Sequence, residues 1–302
     1  MWFLIALIGY TLLAVVFIMD KFILTKSVGK PVVYAFYSTI FLFGALVLLP
    51  FGGGVLHGVD WVWALVSGIS FGFAMLFMFI ALKYGETSHI SPFIGAVVLM
   101  GTFWFSSQFL GESLSSVQMV GMGVLLVASL MLSFEKSRKH NGFHVGFVWA
   151  IVSGMLFAVS HVSAKYIYSL YPFITGFAWT RATTGLVGLF LLLFPSVRRS
   201  FKPRDKKDAP KTEAKRHAMA IVVSDKMLSV LGIVLIQYAI AVGSVTLVNA
   251  MAGIQYVLMF LLVLLLTKFV PRVFQEVFTR REVVVQVVAL ILVVVGSALF
   301  VF

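Results

Sequence analysis

The chain has 302 residues, of which 61% are hydrophobic and 11% are charged, and its formal net charge is +12. Ordinary soluble domains are about 45–50% apolar and about 25% charged, so this composition excludes a typical water-soluble enzyme and indicates a polytopic membrane protein. The absence of cysteine excludes disulfides and thiolate metal sites. The basic excess does not predict a nucleic-acid partner, because Lys and Arg lie between long apolar runs.

Ten apolar runs have the length of a membrane helix, which needs about 20 apolar residues. They are too long for the strands of a membrane β-barrel and lack the alternation that such strands show. We therefore predict an all-α polytopic membrane protein with ten transmembrane helices. In chain order the runs cover residues 2–24, 32–51, 61–82, 89–110, 117–134, 145–168, 173–194, 227–247, 249–266 and 283–302.

The basic residues are distributed unevenly between the runs. The connections after runs 1, 3, 5, 7 and 9, counted with the adjoining run ends, hold 21 of the 23 Lys and Arg residues. Because these residues collect on the cytoplasmic side, we place the odd-numbered connections in the cytoplasm and both termini outside, in the inner (plasma) membrane. The longest connection, 196–226, is predicted to be a flexible basic loop; a site for anionic lipid or a partner is the alternative.

The two halves of the chain resemble each other. Lys21, near the end of run 1, matches Lys165 near the end of run 6, and the stretch around Gly85 parallels the stretch around Gly243. Five helices in each copy is an odd number, so the copies have opposite orientations, and a substrate site is expected near the midplane where they meet. The predicted units are a first five-helix repeat (1–134), a linker (135–144) and a second five-helix repeat (145–302).

The order and spacing of several motifs resemble the EamA-like family of the drug/metabolite transporter superfamily over nearly the whole chain. The motifs are the endings of runs 1 and 6, an Ala-x-x-x-Gly-x5-Ser-Pro stretch, and a Gly-Glu-x-Leu-Ser turn followed by Gln and a glycine-rich helix. The second copy departs from the pattern, since it is longer after run 9 and has Gln286 where the first has Gln118. The motif residues after run 1 are Ala81, Gly85, Ser91, Pro92, Gly111, Glu112, Leu114, Ser115, Gln118, Gly121 and Gly123.

This resemblance implies ten helices, in two inverted five-helix repeats, around a central cavity and movement of a small solute by alternating access. Family members export amino acids and other metabolites, and relatives move nucleotide sugars or lipid-linked sugars. We therefore predict a secondary transporter for a small polar metabolite, such as an amino acid, with export as the favoured direction. A flippase or carrier of a lipid-linked sugar or polyprenyl phosphate is the alternative, and an intramembrane enzyme or non-transporting subunit is a second one. Many family members place both termini in the cytoplasm, opposite to the orientation that the charges favour.

Polar side chains inside a membrane are energetically unfavourable, so they usually face a cavity or a partner. Arg181, near mid-depth in run 7, is predicted to meet a carboxylate or an anionic substrate; structural pairing or snorkelling is the alternative. Lys21 and Lys165 are expected near opposite membrane surfaces, where they could act as a pair of gates. The alternative is that both are interfacial lysines whose ammonium groups snorkel to the headgroups. The candidate substrate-binding or gating residues are Arg181, Lys21, Asp20, Lys165, His161, Gln108, Asn249, Gln255, Gln237 and Trp179.

The remaining candidates have equally specific alternatives. His161 is a pH-sensitive group or a hydrogen-bonded core histidine. The neutral amides bind a zwitterionic or hydroxylated solute, or hold helices together. Ser91–Pro92 and Pro271 are predicted to interrupt or end the fourth and ninth helices.

Enzyme chemistry and ion coupling are weakly indicated. A Gly-x-Ser-x-Gly pattern at Gly68–Gly72 lies inside an apolar run, where this spacing is typical of close helix packing rather than of a nucleophile. The carboxylates Asp20, Glu86 and Glu112 fall near helix ends, which favours facilitated movement or exchange over proton coupling. We expect no enzyme activity, no cofactor and no metal; the predicted partners are a small-molecule substrate and membrane lipids, and the oligomeric state is left open.

Overall fold

The computed structural model describes residues 1–23, 30–85, 87–133, 145–201, 212–269 and 280–299, and the regular secondary structure of these residues is helical. Long apolar helices satisfy their backbone hydrogen bonds internally, as a membrane interior requires. The elements are α1 (Trp2–Ile23), α2 (Pro31–Ile40), a 3₁₀ segment (Phe41–Phe51), α3 (Asp60–Tyr84), α4 (Thr87–Phe109), α5 (Ser116–Ser133), α6 (Val145–Leu170), α7 (Phe173–Leu191), α8 (Pro195–Ser200), α9 (Thr212–Val242), α10 (Val245–Ala250), α11 (Ala252–Phe269) and α12 (Arg280–Ala298).

Eight segments of the described chain are long and apolar enough to cross a membrane. The protein is therefore an all-α polytopic membrane protein. Two predicted runs, which coincide with α7 and α12, are not among the eight. Helix α7 carries Arg181 and four threonines, and the apolar part of α12 is confined to Val287–Ala298. The eight segments are Trp2–Asp20, Pro31–Phe51, Asp60–Tyr84, His89–Phe109, Ser116–Ser133, Val145–Leu170, Ile221–Val242 and Val245–Thr267.

The helix interruptions differ from those predicted. Helix α4 continues through Pro92, so the expected break at Ser91–Pro92 is wrong. Pro92 lies in the second turn, where a proline removes a single backbone bond close to the helix start. The ninth run is instead divided at Met251 into α10 and α11, and the Ser244 hydroxyl caps α10 by accepting a 3.0 Å hydrogen bond from the Leu247 amide. Pro271 lies outside the described residues.

Helix α3 packs closely against α7 at two glycines. A Cβ atom on Gly68 would lie 2.6 Å from the Thr184 amide nitrogen, and one on Gly72 would lie 2.7 Å from the Val187 Cβ atom. These approaches confirm that the Gly68–Gly72 stretch serves close helix packing.

The described ends of the predicted basic loop are helical. Its start forms α8, and α9 begins at Thr212, well before the predicted run at 227. The sequence from 212 to 231 contains neither Gly nor Pro, so nothing in it stops the helix. As a result Asp225 and Lys226 lie within the membrane-crossing segment Ile221–Val242. Residues 202–211, like the predicted linker 135–144, lie outside the described part of the chain.

Candidate functional site

A cavity of about 150 Å³ lies between α1, α3, α4, α6, α9, α10 and α11. This is comparable to an engineered protein cavity of about 150 Å³ that admits benzene, so the space suffices for a small solute. Its wall is mostly apolar, with a limited set of polar groups, as is typical of small-molecule sites. The polar and titratable lining residues are Tyr10, Asp20, Ser91, His161, Ser229, Gln237, Asn249, Gln255 and Tyr256.

Three predicted amides are buried in the cavity wall. Gln237 accepts a 2.9 Å hydrogen bond from the Tyr168 hydroxyl, and Asn249 donates a 3.4 Å hydrogen bond to Thr102. The Nε2 atom of Gln255 has no partner among the described residues. Two amides are thus held in place by neighbouring helices, and the third retains a free donor.

His161 lies in the same wall, with the Phe71 and Phe157 rings at 6.4 Å and 6.1 Å between ring centroids. Its buried Nδ1 atom has no hydrogen-bond partner in the part of the chain that the structure describes. A neutral imidazole carries both a donor and an acceptor, so His161 offers the cavity an unused polar group.

Arg181 is completely buried next to the cavity. Its guanidinium carbon lies 4.1 Å from the centroid of the Phe71 ring and 6.0 Å from that of Phe177, and Phe71 itself lines the cavity. All three guanidinium nitrogens lack a hydrogen-bond partner within the described ranges. Cation–π contacts are worth about 0.5–2 kcal/mol, whereas burying a charge without a counter-ion costs several kcal/mol. The guanidinium group therefore lacks an anionic partner that would offset the free-energy cost of its burial.

Asp20 takes part in a polar network at another border of the cavity. The Tyr34 hydroxyl donates to Asp20, and the Lys226 ammonium lies 3.5 Å from the same carboxylate oxygen. Lys226 also lies 2.9 Å from Asp225 and donates to the Tyr34 oxygen at 2.9 Å. The network joins α1, α2 and α9, and its residue Asp20 reaches the cavity.

Sequence reasoning missed the α9 part of this network. Asp225 is fully buried, whereas the highly charged residues before it predict a solvated loop. The signal that could have found it is the apolar stretch 218–223, which ends two residues before it in a region free of helix breakers.

Lys165 of α6 contacts the C-terminal end of α9, far along that helix from Asp225 and Lys226. Its ammonium donates to the carbonyls of Ile240, Ala241 and Gly243 at 2.9, 3.0 and 2.7 Å. The last carbonyls of a helix lack intrahelical partners and carry partial negative charge. Lys165 therefore ties the end of α9 to α6. Nearby, Thr246 donates to Glu112 at 2.6 Å and lies 2.8 Å from Ser106, which joins α10 to the α4–α5 turn.

We expect Lys165→Met to destabilise the protein by about 1.5–3 kcal/mol, because charge-assisted hydrogen bonds are lost and carbonyls at the end of α9 are left unpaired. The measurement is the free energy of unfolding in detergent. Lys83→Met, at an exposed lysine in the last turn of α3, is the matched control and should change it by less than about 0.5 kcal/mol. Equal effects of the two substitutions would contradict the role of Lys165.

Three sequence candidates lie elsewhere or cannot be placed. Gln108 is exposed near the end of α4. The Trp179 indole donates a 2.8 Å hydrogen bond to the Gly54 carbonyl and packs on Trp61. It therefore fixes the segment before α3 and is not among the residues that line the cavity. The side chain of Lys21 lies outside the described part of the chain.

Comparison with known proteins shows a shared fold. No protein-family model and no curated protein matches the chain. Twenty-eight chains of solved structures match it. One of them, a protein crystal structure, shares 20% sequence identity and superposes with a TM-score of 0.65 over 98% of this chain and 97% of its own length. The architecture is therefore one that a solved protein shares along its full length.

Proposed function

We propose that the protein is a secondary transporter that moves a small polar metabolite with an anionic group, such as an amino acid, by alternating access. The observation that carries this proposal is the cavity with its limited set of polar groups together with Arg181, a buried cation beside it with no protein counter-ion among the described residues. A substrate carboxylate would supply that counter-ion. Guanidinium and carboxylate groups form paired, charge-assisted hydrogen bonds.

The chemistry of the cavity border suits an amino acid in particular. The Asp20 network contains two carboxylates and one ammonium, so it is a favourable neighbour for a substrate amino group. The buried amides and His161 complement neutral polar parts of a solute. A zwitterion would thus meet a cation beside Phe71 and an acidic network at Asp20.

Two further features support a transporter of the EamA-like type, with ten helices in two inverted repeats. Gly85 follows α3 directly and Gly243 follows α9 directly, in agreement with the alignment of the halves. The networks at Asp20 and at Lys165 join different helices near the two ends of the segment Ile221–Val242 of α9. Alternating access needs a barrier on each side of the site, and these networks are suitable barriers.

The charge distribution supports the inner (plasma) membrane as the location, with the odd-numbered connections in the cytoplasm. In this orientation the Asp20 network closes the cytoplasmic side and Lys165 the outer side.

The proposal is tested by ligand-induced thermal stabilisation of the detergent-purified protein. Amino acids, amines, nucleotide sugars and polyprenyl phosphates are compared at high concentration, because binding raises stability by mass action. We expect amino acids to raise the unfolding temperature, and we expect Arg181→Met to abolish the shift. Arg199→Met, at an exposed arginine of α8, should leave the shift intact. Stabilisation by polyprenyl phosphate alone would contradict the proposal in favour of a flippase.

A further inference from the structure

Two carboxylates share a single ammonium in the network of α1, α2 and α9. Asp20 is 8% exposed and Asp225 is 0% exposed, and both contact Lys226, at 3.5 Å and 2.9 Å. The Tyr34 hydroxyl donates to Asp20 and lies 3.4 Å from Asp225. If both carboxylates were ionised, the cluster would hold one negative charge without a counter-charge in a buried location.

One atom of this cluster is unused. The Oδ1 oxygen of Asp225 is buried and has no hydrogen-bond partner within the described ranges, while the Oδ2 oxygen already faces Lys226. The Oδ1 oxygen lacks a partner in either protonation state, but an unpaired buried oxygen is much less unfavourable in a neutral carboxyl than in an ionised one. Buried carboxylates that lie close together do not both ionise readily, because each disfavours the charge of the other. The unused oxygen is therefore the natural position for a proton.

The surroundings contain few groups that could supply the missing charge. Among the described residues, the charged and titratable side chains that face Asp225 are Asp20 from α1, Tyr34 from α2 and Lys226 from α9 itself. From α3, the Phe79 ring packs on Tyr34 at 4.6 Å between centroids. The further described titratable groups of the cavity wall are Tyr10, His161 and Tyr256.

We propose that Asp20 and Asp225 together bind one exchangeable proton and that this site couples transport to a proton gradient. The coupling rests on the proposed transport function, whereas the proton site does not. The proton is taken up from water by an Asp225 oxygen and is released to water on the other side after the carrier changes its conformation. Asp20 lines the cavity, so the charge of the Asp20–Asp225 pair acts electrostatically on a substrate that binds in this cavity.

This proposal reverses the expectation that the chain moves its substrate without tight proton coupling. That expectation relied on carboxylates near helix ends. Asp225 is instead an intramembrane carboxylate in Ile221–Val242, and ionisable residues at such positions commonly form proton relays.

The proton site is tested on the full-length protein in lipid nanodiscs by infrared spectroscopy of the carboxyl carbonyl band. We expect a band from a protonated carboxyl at neutral pH, which disappears as the pH rises. Asp225→Asn and Asp20→Asn should each remove it, because the remaining carboxylate then pairs with Lys226 and stays ionised. Asp60→Asn is the matched control: Asp60 accepts a 2.6 Å hydrogen bond from Tyr171 outside this network, and the band should persist. Absence of the band in the wild type, or its persistence in both Asp20 and Asp225 variants, would overturn the proton site.

Coupling is tested in proteoliposomes with an imposed pH gradient and radiolabelled amino acids as probes. We expect uptake to depend on the gradient in the wild type and in Asp60→Asn, and to lose that dependence in Asp225→Asn, with exchange retained. Uptake that ignores the gradient in the wild type would overturn coupling while supporting transport. No uptake or exchange by any of these proteins would contradict the proposed amino-acid transport, and with it the coupling, while the infrared result decides the proton site separately.

Discussion

Arg181→Met is expected to raise the unfolding temperature of the ligand-free protein. Methionine fills a similar volume and needs no counter-ion, so the substitution removes a buried charge that has no hydrogen-bond partner in the described structure. The cation–π contact with Phe71 is lost, at about 0.5–2 kcal/mol, but the relief of desolvation is larger. Replacement of buried ionic groups by apolar ones stabilises proteins by about 1–4 kcal/mol in favourable cases, and we expect a gain toward the lower end of this range.

The measurement is thermal unfolding in detergent without added substrate, with Arg199→Met as the control for the loss of a positive charge. Arg199 is exposed, so its substitution should leave the unfolding temperature nearly unchanged. A lower unfolding temperature for Arg181→Met would show that Arg181 stabilises the empty protein, and it would remove the argument that a substrate supplies its counter-ion. Stability gained together with binding lost is the signature of a functional group maintained at the expense of the fold.

Gly68→Ala is expected to destabilise the protein by about 1–3 kcal/mol, the range for overpacking, and by more if α3 and α7 separate. The added methyl group would face the Thr184 amide nitrogen at 2.6 Å and the Thr180 carbonyl oxygen at 2.7 Å. These are backbone atoms, which cannot turn away as a flexible side chain can.

Gly123→Ala in α5 is the matched control, because nothing lies within 4 Å of the position that its Cβ would occupy. Alanine favours the helix over glycine by roughly 1 kcal/mol, so this variant should be as stable as the wild type or more so. Thermal unfolding of both variants in detergent makes the comparison. A Gly68→Ala protein as stable as Gly123→Ala would refute close packing of α3 on α7.

Much of the fold could be predicted because the hydrophobic pattern of a membrane helix is long and local. The runs at 61–82 and 89–110 agree with α3 and α4 within a few residues. The division of the ninth run at Met251 could not be predicted, since the sequence around Met251 contains no proline. The helical start of α9 was missed because charge density was given more weight than the absence of helix breakers.

The candidate site was predicted in part for the same reason. A polar residue in an apolar run is conspicuous, and Gln237, Asn249 and Gln255 do line the cavity. Gln108 and Trp179 are equally conspicuous in the sequence, but whether a side chain faces a cavity or the surface depends on how its helix is rotated against its neighbours. The pairing of Asp225 with Asp20, 205 positions earlier in the chain, could not be predicted, because their proximity arises from the packing of α1 against α9.

The composition of α7 has a consequence for how the chain enters the membrane during synthesis. This helix is too polar to be among the segments that are apolar enough to cross by themselves, since an arginine at the centre of a helix adds about 2.5–3.5 kcal/mol to its insertion free energy. Only Tyr171 and Pro172 separate it from the apolar α6, and α3 is already synthesised when α7 emerges. Insertion of α7 is therefore expected to be cooperative, with α6 and α7 entering the membrane together as a helical hairpin. The threonine hydroxyls and Arg181 would then contact protein rather than lipid as soon as α7 enters the membrane.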